Sequence, residues 1–464
     1  MSGMFFLTGA PASGKTTLGR KLAERLSVPF FDLDDEISAA AGRSIPEIFS
    51  SDGEAAFRAL ESAALRRLVS SAPRPSVVAL GGGALLRDSN REMAEKAGIV
   101  LCINTPDEEE LKRRIDLAGR KRPLGNRARE RAAHYASFPN RIAAFFKAGS
   151  TLVVVGNGFA APLLAGRRVV VDGSVAKLHA SSLPRPIAIV PSGEVNKTIN
   201  TVGFLWSAFA ADGVGRSDVV SAVGGGVTGD LTGFAAATWM RGIDWINVPT
   251  TLLSMVDAST GGKTGCDLPE GKNLAGAFHQ PKLVAIDTDF LKTLSPREIA
   301  SGRAEMIKHE IIGGIARGEL KGLPTAEEIA ANLMVKVKIV EEDPFEKLDK
   351  RILLNCGHTV AHAIEKATDY AISHGEAVAI GCVEEARLAV RMGLSPSEWP
   401  DELSARFAMA GLSTNLPAGI SLDSLVHLMK GDKKRCASSV TFALPCAWGD
   451  VRAVPIDLSK GLKV

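Results

Sequence analysis

The stretch MFFLTGAPASGKTT, residues 4–17, indicates the architecture of the first part of the chain. Its first five residues form an apolar run typical of a buried strand, and the segment that follows the glycines places Leu18, Leu22 and Leu26 on one helical face. The intervening loop, GAPASGKT (residues 9–16), matches GxxxxGK[ST] in the strand–loop–helix context that this pattern requires. The backbone N–H groups of such a loop surround a phosphate at a helix N-terminus.

The loop therefore predicts a nucleotide site with a magnesium ion. Lys15 is expected to neutralise charge on the β- and γ-phosphates, and the Thr16 hydroxyl is expected to bind Mg²⁺. The expected ATP contacts are Gly9, Ala10, Pro11, Ala12, Ser13, Gly14, Lys15, Thr16 and Thr17.

Residues beyond the loop suggest an acceptor site. Asp32 and Asp34 stand two apart in FFDLD, which predicts a strand with both carboxylates on one face. One carboxylate would complete the Mg²⁺ coordination shell, and the other would accept a hydroxyl proton. The alternative is that one aspartate caps the end of the strand and the other is an ordinary surface residue. Gly81–Gly83 end another predicted strand and offer backbone amides to an anion. Arg122, in GRKRPLG, is expected to close over the transferred phosphoryl group.

Strand and helix patterns alternate over residues 4–130 and again from residue 151 to about 295, which indicates two α/β units with parallel sheets. From Pro296 onward, helical periodicity dominates. The predicted fold class is α/β. It comprises a phosphate-loop kinase domain (1–148), a dinucleotide-binding α/β domain (151–295) and a mainly helical metal- and substrate-binding domain (296–464).

Glycine-rich turns and cations mark the second α/β unit. AVGGGVTGDLTGF (222–234) reads as a strand, a glycine turn and a helix start. The nearby segments GGKTG and EGKN add Lys263, Lys272 and Asn273, and clustered cations between glycines suggest a clamp for phosphate or carboxylate.

Three histidines predict a metal site in the helical part. His358 and His362 are four apart on one helical face, and His374 begins a further helix in SHGEAVAIG. Upstream, Glu305 and Lys308 are three apart in AEMIKHE. Imidazole plus carboxylate suits Zn²⁺ with one coordination position left for substrate. Spacing alone leaves open whether His362 or His374 is the second imidazole.

The first 135 residues or so resemble shikimate kinase. The resemblance implies that Lys15 and Thr16 serve ATP and Mg²⁺, that Asp34 is the base for the acceptor hydroxyl, and that Arg122 is the lid arginine. It also implies shikimate contacts from Arg58, Gly82 and Arg131. Asp32 remains the second expected magnesium ligand.

From about residue 151 to the end, the motifs resemble 3-dehydroquinate synthase in order along the chain. The resemblance implies zinc, with cobalt as the alternative ion, held by Glu305, His358 and His374, and assigns catalytic roles to His362, Lys263 and Lys308. The implied NAD⁺ contacts are Asp172, Glu194, Lys197, Gly225, Gly226, Val227, Asp230, Thr250, Thr251, Lys263, Lys272 and Thr293. The implied contacts of the synthase substrate are Arg241, Asp257, Lys272, Asn273, Lys336, Arg351, Asn355 and Lys433.

Together the resemblances imply a bifunctional shikimate-pathway enzyme. One part would phosphorylate shikimate with ATP. The other would convert 3-deoxy-arabino-heptulosonate 7-phosphate to 3-dehydroquinate and phosphate, with NAD⁺ returning its hydride. Two alternatives remain: a synthase whose kinase module is catalytically degenerate and only binds or scaffolds, suggested by a short stretch near residues 136–150, and an iron-dependent alcohol dehydrogenase.

Composition narrows the class of protein. The 55 basic and 52 acidic residues give a net charge of +3, too balanced for a dedicated nucleic-acid or membrane-surface binder. No apolar run reaches the ~18 residues needed to span a bilayer. Six scattered cysteines without a CxxC indicate reduced thiols and a cytoplasmic location. The expected partners are small-molecule substrates, and a homodimer through the synthase part is expected.

Overall fold

A computed structural model of the protein describes residues 3–103, 131–138, 141–146, 151–430 and 439–460. Two predicted site residues, Arg122 and Lys433, lie outside these ranges. Within them, every helix is too short or too polar to cross a membrane.

Strands occur throughout the first two thirds of the chain and once more near its end. They are β1 (Met4–Thr8), β2 (Phe30–Asp32), β3 (Val77–Ala79), β4 (Gly98–Ile103), β5 (Arg141–Phe146), β6 (Thr151–Gly156), β7 (Arg168–Asp172), β8 (Ala188–Val190), β9 (Val219–Gly224), β10 (Asp244–Pro249), β11 (Lys263–Leu268), β12 (Gly271–Phe278), β13 (Leu283–Asp287), β14 (Ser439–Ala447) and β15 (Asp450–Asp457). The hairpin of β14 and β15 was not predicted, since helical periodicity dominates the sequence around it.

Helices alternate with these strands and then take over after β13. They are α1 (Lys15–Leu26), α2 (Leu33–Ala41), α3 (Ile45–Ser71), α4 (Asp88–Ala97), α5 (Ala132–Ala136), α6 (Ala160–Leu164), α7 (Gly173–Leu178), α8 (Ile199–Ala211), α9 (Gly226–Thr238), α10 (Pro296–Gly313), α11 (Ala326–Glu342), α12 (His358–Ala367), α13 (His374–Arg391), α14 (Trp399–Met409) and α15 (Leu422–Lys430). The predicted α/β architecture with a helical C-terminal part is confirmed.

Both α/β units share one eleven-stranded sheet. The strand order is β2-β3-β1-β4-β5-β6-β13-β10-β9-β7-β8. All neighbouring pairs are parallel except β5 and β6, which are antiparallel. The strand direction therefore reverses between β5 and β6. On one side of this point the sheet carries the phosphate loop after β1, and on the other it carries the glycine turn after β9.

The hydrophobic core crosses this boundary. Leu7 of β1 and Leu22 of α1 belong to one buried cluster with Val153 of β6 and Leu333 of α11. Arg167, which precedes β7, is partly buried and donates from Nη2 to the Leu26 carbonyl oxygen (2.9 Å) at the end of α1, and from Nε to the Leu163 carbonyl oxygen (2.9 Å). The helix that follows the phosphate loop is thus anchored on the second α/β unit.

We predict that the two halves unfold together, and that Arg167→Met lowers their common stability by about 1–3 kcal/mol because partly buried carbonyls lose their donor. All five tryptophans lie between Trp206 and Trp448, so urea unfolding followed by tryptophan fluorescence reports the second half, while far-ultraviolet circular dichroism reports the whole chain. The matched control is Arg168→Met, which removes exposed ion pairs and is expected to cost less than about 1 kcal/mol. Two separate transitions in the native protein would contradict the shared core.

Candidate active sites

The first candidate site surrounds the loop between β1 and α1. Ala12 adopts a left-handed φ of 61°, which bends the loop into a cradle. The Lys15 ammonium donates to the carbonyl oxygens of Gly9 (3.0 Å) and Ala10 (2.8 Å), so its charge lies inside this cradle. Gly82 packs against it: a Cβ on Gly82 would lie 3.3 Å from the Gly9 carbonyl oxygen. The phosphate loop and the glycine triplet are therefore two walls of one site.

The paired aspartates adopt a different local structure from the one predicted. Asp32 ends β2 and caps α2, its Oδ1 accepting a hydrogen bond from the backbone N–H of Asp34 (3.0 Å). Asp34 therefore lies in the first turn of a helix, and the prediction of one strand carrying both is wrong because the cap ends the strand. Asp32 Oδ2 accepts from the Thr16 hydroxyl (2.7 Å), which brings the two proposed magnesium ligands together.

A buried ion pair lines the acceptor side. Arg58, on α3, donates from Nη1 to Glu61 Oε2 (2.6 Å), and Glu61 is only 1% exposed. A Cβ on Gly83 would lie 2.7 Å from Arg58 Nη2 and 3.1 Å from Arg131 Nη1, so both guanidinium groups converge on the glycine triplet. Tyr135 donates from its hydroxyl to the carbonyl oxygen of the adjacent Gly82 (2.6 Å). Burial outweighs the attraction of Arg58 and raises the pKa of Glu61.

The second candidate site begins at the carboxyl edge of the parallel strands. Asp172 ends β7, the glycine turn follows β9, and Thr250 and Thr251 follow β10. A Cβ on Gly224 would lie 3.0 Å from Asp172 Cβ, and one on Gly225 would lie 3.2 Å from Thr251 Cγ2. The predicted NAD⁺ residues of these three loops are therefore neighbours, as expected where loops follow adjacent parallel strands.

One hydrogen bond and one ion pair connect this edge to the β11–β12 hairpin. Lys197 is paired with Asp230 (2.6 Å) and donates to Asn273 Oδ1 (2.6 Å). Lys272 lies 3.2 Å from Glu194 and 4.0 Å from the centroid of the Tyr370 ring. Burial opposes the charge of Lys197, but nearby carboxylates outweigh it and raise its pKa.

A lysine cluster surrounds Asp257. This residue lies in a single π-helical turn, Ser254–Ala258, a feature frequent at functional sites. Its Oδ1 is 2.9 Å from the Lys336 ammonium, 3.9 Å from that of Lys308 and 3.7 Å from His309 Nε2. Burial would raise the pKa of Asp257, but the two ammonium groups outweigh it and hold the pKa well below its usual range.

The predicted metal ligands meet beside this cluster. Glu305 of α10, His358 of α12 and His374 of α13 each offer one ligand atom, and these atoms lie within 4.8 Å of one another. Glu305 Oε1 is 3.5 Å from His358 Nε2 and 3.2 Å from His374 Nε2. Lys308 contacts the other oxygen of Glu305. The tertiary structure thus groups His374, and not His362, with His358 and the carboxylate.

The other ring nitrogen of each histidine is held by an oxygen. His358 Nδ1 lies 3.0 Å from the Cys356 carbonyl oxygen, and His374 Nδ1 lies 3.4 Å from Glu365 Oε1. Since a carbonyl oxygen can only accept, His358 carries its hydrogen on Nδ1 and turns a lone pair on Nε2 toward Glu305. Metal-binding histidines are oriented in this way by a second oxygen, so the residues present fit a zinc-type ion.

The electrostatics of the trio also favour a cation. Burial and the Lys308 ammonium lower the pKa of His358 to about 3, which keeps its imidazole neutral. Burial works against charge on His374, but hydrogen bonds to Glu305 and Glu365 outweigh it and raise its pKa to about 10. The carboxylates of Glu305 and Glu365 therefore stabilise positive charge at His374, and a bound divalent ion would supply such charge.

The remaining predicted residues lie on several elements and differ in burial. Lys263, at the start of β11, is paired with Glu346 (2.7 Å), and buried Arg351 donates to the Pro344 carbonyl oxygen (3.1 Å). Asn355 ends the short helix Lys350–Asn355 that leads to His358. Thr293 Oγ1 lies 2.9 Å from His179 Nε2. Arg241 lies on an exposed turn, and no hydrogen bond or ion pair within the described ranges joins it to the lysine cluster.

Several site residues were missed at the sequence level. Glu365 lies seven positions after His358, two turns along the same helix face, and that spacing was a signal. Glu61, three positions after Arg58, gave a similar one. His309 gave another, since it is four positions after Glu305 on the same helix. Its partner Asn332 gave none: His309 is fully buried, and its Nδ1 lies 2.7 Å from Oδ1 of Asn332, 23 positions away.

Comparisons with known families find similarity in both halves of the chain. The family model of shikimate kinase matches residues 11–156, and those of 3-dehydroquinate synthase match residues 187–301 (N-terminal) and 302–435 (C-terminal). The 3-dehydroquinate synthase of Synechococcus sp. is 44% identical over 319 residues, covering 66% of this chain and 85% of that protein. The 3-dehydroquinate synthase of Xylella fastidiosa is 42% identical over 306 residues, covering 60% and 82%. These relatives count against an alcohol dehydrogenase.

Solved structures of two other synthases are also similar. A 2-deoxy-scyllo-inosose synthase complexed with carbaglucose-6-phosphate, NAD⁺ and Co²⁺ is 28% identical with a TM-score of 0.56, covering 64% of this chain and 88% of that one. A 2-epi-5-epi-valiolone synthase from Streptomyces hygroscopicus with NAD⁺ and Zn²⁺ bound is 25% identical with a TM-score of 0.57, covering 65% and 91%. With the identities above, these findings show that the chain is an enzyme of the 3-dehydroquinate synthase family that carries a shikimate kinase domain at its N-terminus.

Proposed function

We propose that both parts are catalytically active: the first phosphorylates shikimate with ATP, and the second converts 3-deoxy-arabino-heptulosonate 7-phosphate to 3-dehydroquinate and phosphate. The observation that carries the synthase assignment is the trio of Glu305, His358 and His374, which adjoins the Asp257 lysine cluster. The proposed cofactors are NAD⁺ and Zn²⁺, or Co²⁺. The ligand atoms of the trio suit such a metal ion, and the glycine turn between β9 and α9 suits a dinucleotide. A homodimer and a cytoplasmic location remain predictions.

In the synthase site, the protein residues bind and orient an anionic substrate. When bound, NAD⁺ supplies reversible hydride transfer and the metal polarises a substrate oxygen. Lys308, Lys336 and Arg351 lie around one carboxylate, Asp257, and provide charge for a substrate carboxylate and phosphate. His362 is the proposed acid/base near the leaving phosphate; its ring centroid lies 5.3 Å from that of His358.

In the kinase site, Lys15 and the loop amides would hold the ATP phosphates, while Thr16 and Asp32 would hold Mg²⁺. Asp34 accepts the proton of the acceptor hydroxyl, and Arg58 and Arg131 bind the shikimate carboxylate. The degenerate-kinase alternative keeps the same fold but predicts no phosphoryl transfer. The presence of Lys15, Asp34 and Arg58 favours an active kinase over the degenerate alternative.

Lys15→Ala is expected to reduce phosphoryl transfer by about 10²–10³-fold, because it removes a preorganised charge at the transition state. Phosphate release by the synthase should stay at the native rate, since the metal trio is built from other elements. Both activities are measured on one preparation, with Lys96→Ala, an exposed residue of α4, as the control. A native protein without kinase activity would instead support the degenerate alternative.

Asp34→Asn is expected to lower kinase kcat by about 10²–10⁴-fold with little change in ATP affinity, since asparagine keeps the shape of the carboxylate without its basicity. Asp35→Asn changes the neighbouring exposed acid and should leave kcat unchanged. Steady-state kinetics and ATP binding are compared. Normal kcat with weakened ATP binding in Asp34→Asn would place this residue in the nucleotide site.

His358→Ala is expected to lose bound zinc and synthase activity together. His362→Ala should keep one zinc per chain but turn over about 10²–10⁴-fold more slowly, because only proton transfer is impaired. Metal content and phosphate release are measured on both variants, and kinase activity serves as the internal control. A zinc-free His362→Ala alongside a zinc-loaded His374→Ala would reverse the two assignments.

A further inference from the structure

A single peptide group lies between the metal ligand His358 and a buried carboxylate. The carbonyl oxygen of Cys356 accepts from His358 Nδ1 (3.0 Å), and the N–H of Gly357, the other half of the same peptide group, donates to Glu385 Oε2 (2.8 Å). The side chain of Glu385 is fully buried, and within the described ranges no lysine, arginine or histidine pairs with it. Its partners are backbone amides only.

Those amides belong to the start of α12. The first N–H groups of a helix have no partner within the helix, and here the cap residue is Gly357, which has no side chain to supply one. Glu385 of α13 substitutes for it: Oε1 accepts from the N–H of Val360 (3.2 Å), and the Thr359 N–H also bonds to the carboxylate. The carboxylate therefore fixes the first turn of the helix that presents His358.

Close backbone contact fixes the same turn from the side. A Cβ on Gly381 of α13 would lie 2.0 Å from the Gly357 carbonyl oxygen, and a Cβ on Gly357 would lie 2.4 Å from Cys382 Sγ. The start of α12 has therefore no room to slide along α13. Because α13 itself begins with His374, Glu385 connects the helix of one metal ligand to the start of the helix of another.

We propose that Glu385 is a positioning residue for the metal site, acting on His358 through the Cys356–Gly357 peptide group. This inference rests on the proposed metal function of Glu305, His358 and His374. Burial raises the pKa of Glu385 to about 8. A carboxyl oxygen that accepts from the peptide N–H polarises the peptide in either protonation state, which strengthens its carbonyl oxygen as an acceptor. The carbonyl then holds the hydrogen on His358 Nδ1 and keeps the Nε2 lone pair directed at Glu305. Outer groups that orient metal-bound histidines typically change metal affinity by about 10–100-fold.

The test measures metal affinity in the full-length protein. The metal-free native chain and its variants are titrated with Zn²⁺ against a chromophoric chelator, and the absorption spectrum of the Co²⁺ form is recorded. Glu385→Gln, which keeps the shape of the side chain but places an amide donor against backbone donors, should weaken Zn²⁺ binding about 10–100-fold and shift the Co²⁺ bands. Glu385→Asp, whose carboxylate is withdrawn by one methylene, should also weaken it.

The matched control is Glu384→Gln, the neighbouring acid on α13, which pairs with Arg387 and not with the start of α12. It should bind Zn²⁺ as the native protein does. Native Zn²⁺ affinity and an unchanged Co²⁺ spectrum in either folded Glu385 variant would overturn the proposal, even where urea unfolding shows lower stability, since that outcome describes a helix cap alone. A native protein that binds no Zn²⁺ would instead overturn the metal site itself.

Discussion

The burial of one carboxylate organises the second active site. Glu305 is completely buried, and an ionised carboxylate in the protein interior is costly unless charges and donors surround it. Burial would raise its pKa, yet the Lys308 ammonium and the hydrogen bond from His374 outweigh burial and lower it. Lys308 and His374 belong to α10 and α13, and His358 of α12 faces the same Glu305 oxygen, so three helices meet at this carboxylate. The same convergence produces the donor set of a metal site.

The large sheet positions the remaining chemistry. Parallel strands end at a common edge, and the loops after β7, β9 and β10 bring Asp172, the glycine turn and Thr251 into contact there. The phosphate loop after β1 is built by the same rule in the other half of the sheet. Both halves thus have the same arrangement, a glycine-containing turn followed by the start of a helix, which is typical of phosphate-binding sites in proteins.

The strand direction reverses between β5 and β6, where the shikimate kinase domain meets the synthase part, and the hydrophobic core continues across this boundary. Leu22 of α1 shares a cluster with Leu333 of α11, and Arg167 bonds to the last turn of α1. The two halves therefore share buried contacts, although each site is built from its own residues. The fusion is therefore more than two domains on a linker, because burial at the boundary contributes to the stability of both.

Local sequence patterns account for part of the site. The phosphate loop, the glycine turn, and a candidate ligand group of Glu305, His358, His362 and His374 follow from short motifs, because strand, loop and helix preferences act over a few residues; the resemblance to 3-dehydroquinate synthase singled out His374 over His362. Features that depend on distant partners emerged only in the folded structure. It placed Asp34 on a helix, since Asp32 caps α2, and grouped His374 with His358 by packing α13 against α12. It also brought Glu385 to the Gly357 amide, 28 positions away in the chain. Such a contact leaves no periodic pattern in the sequence. Packing between helices determines which buried acid contacts which backbone group, and local propensity does not.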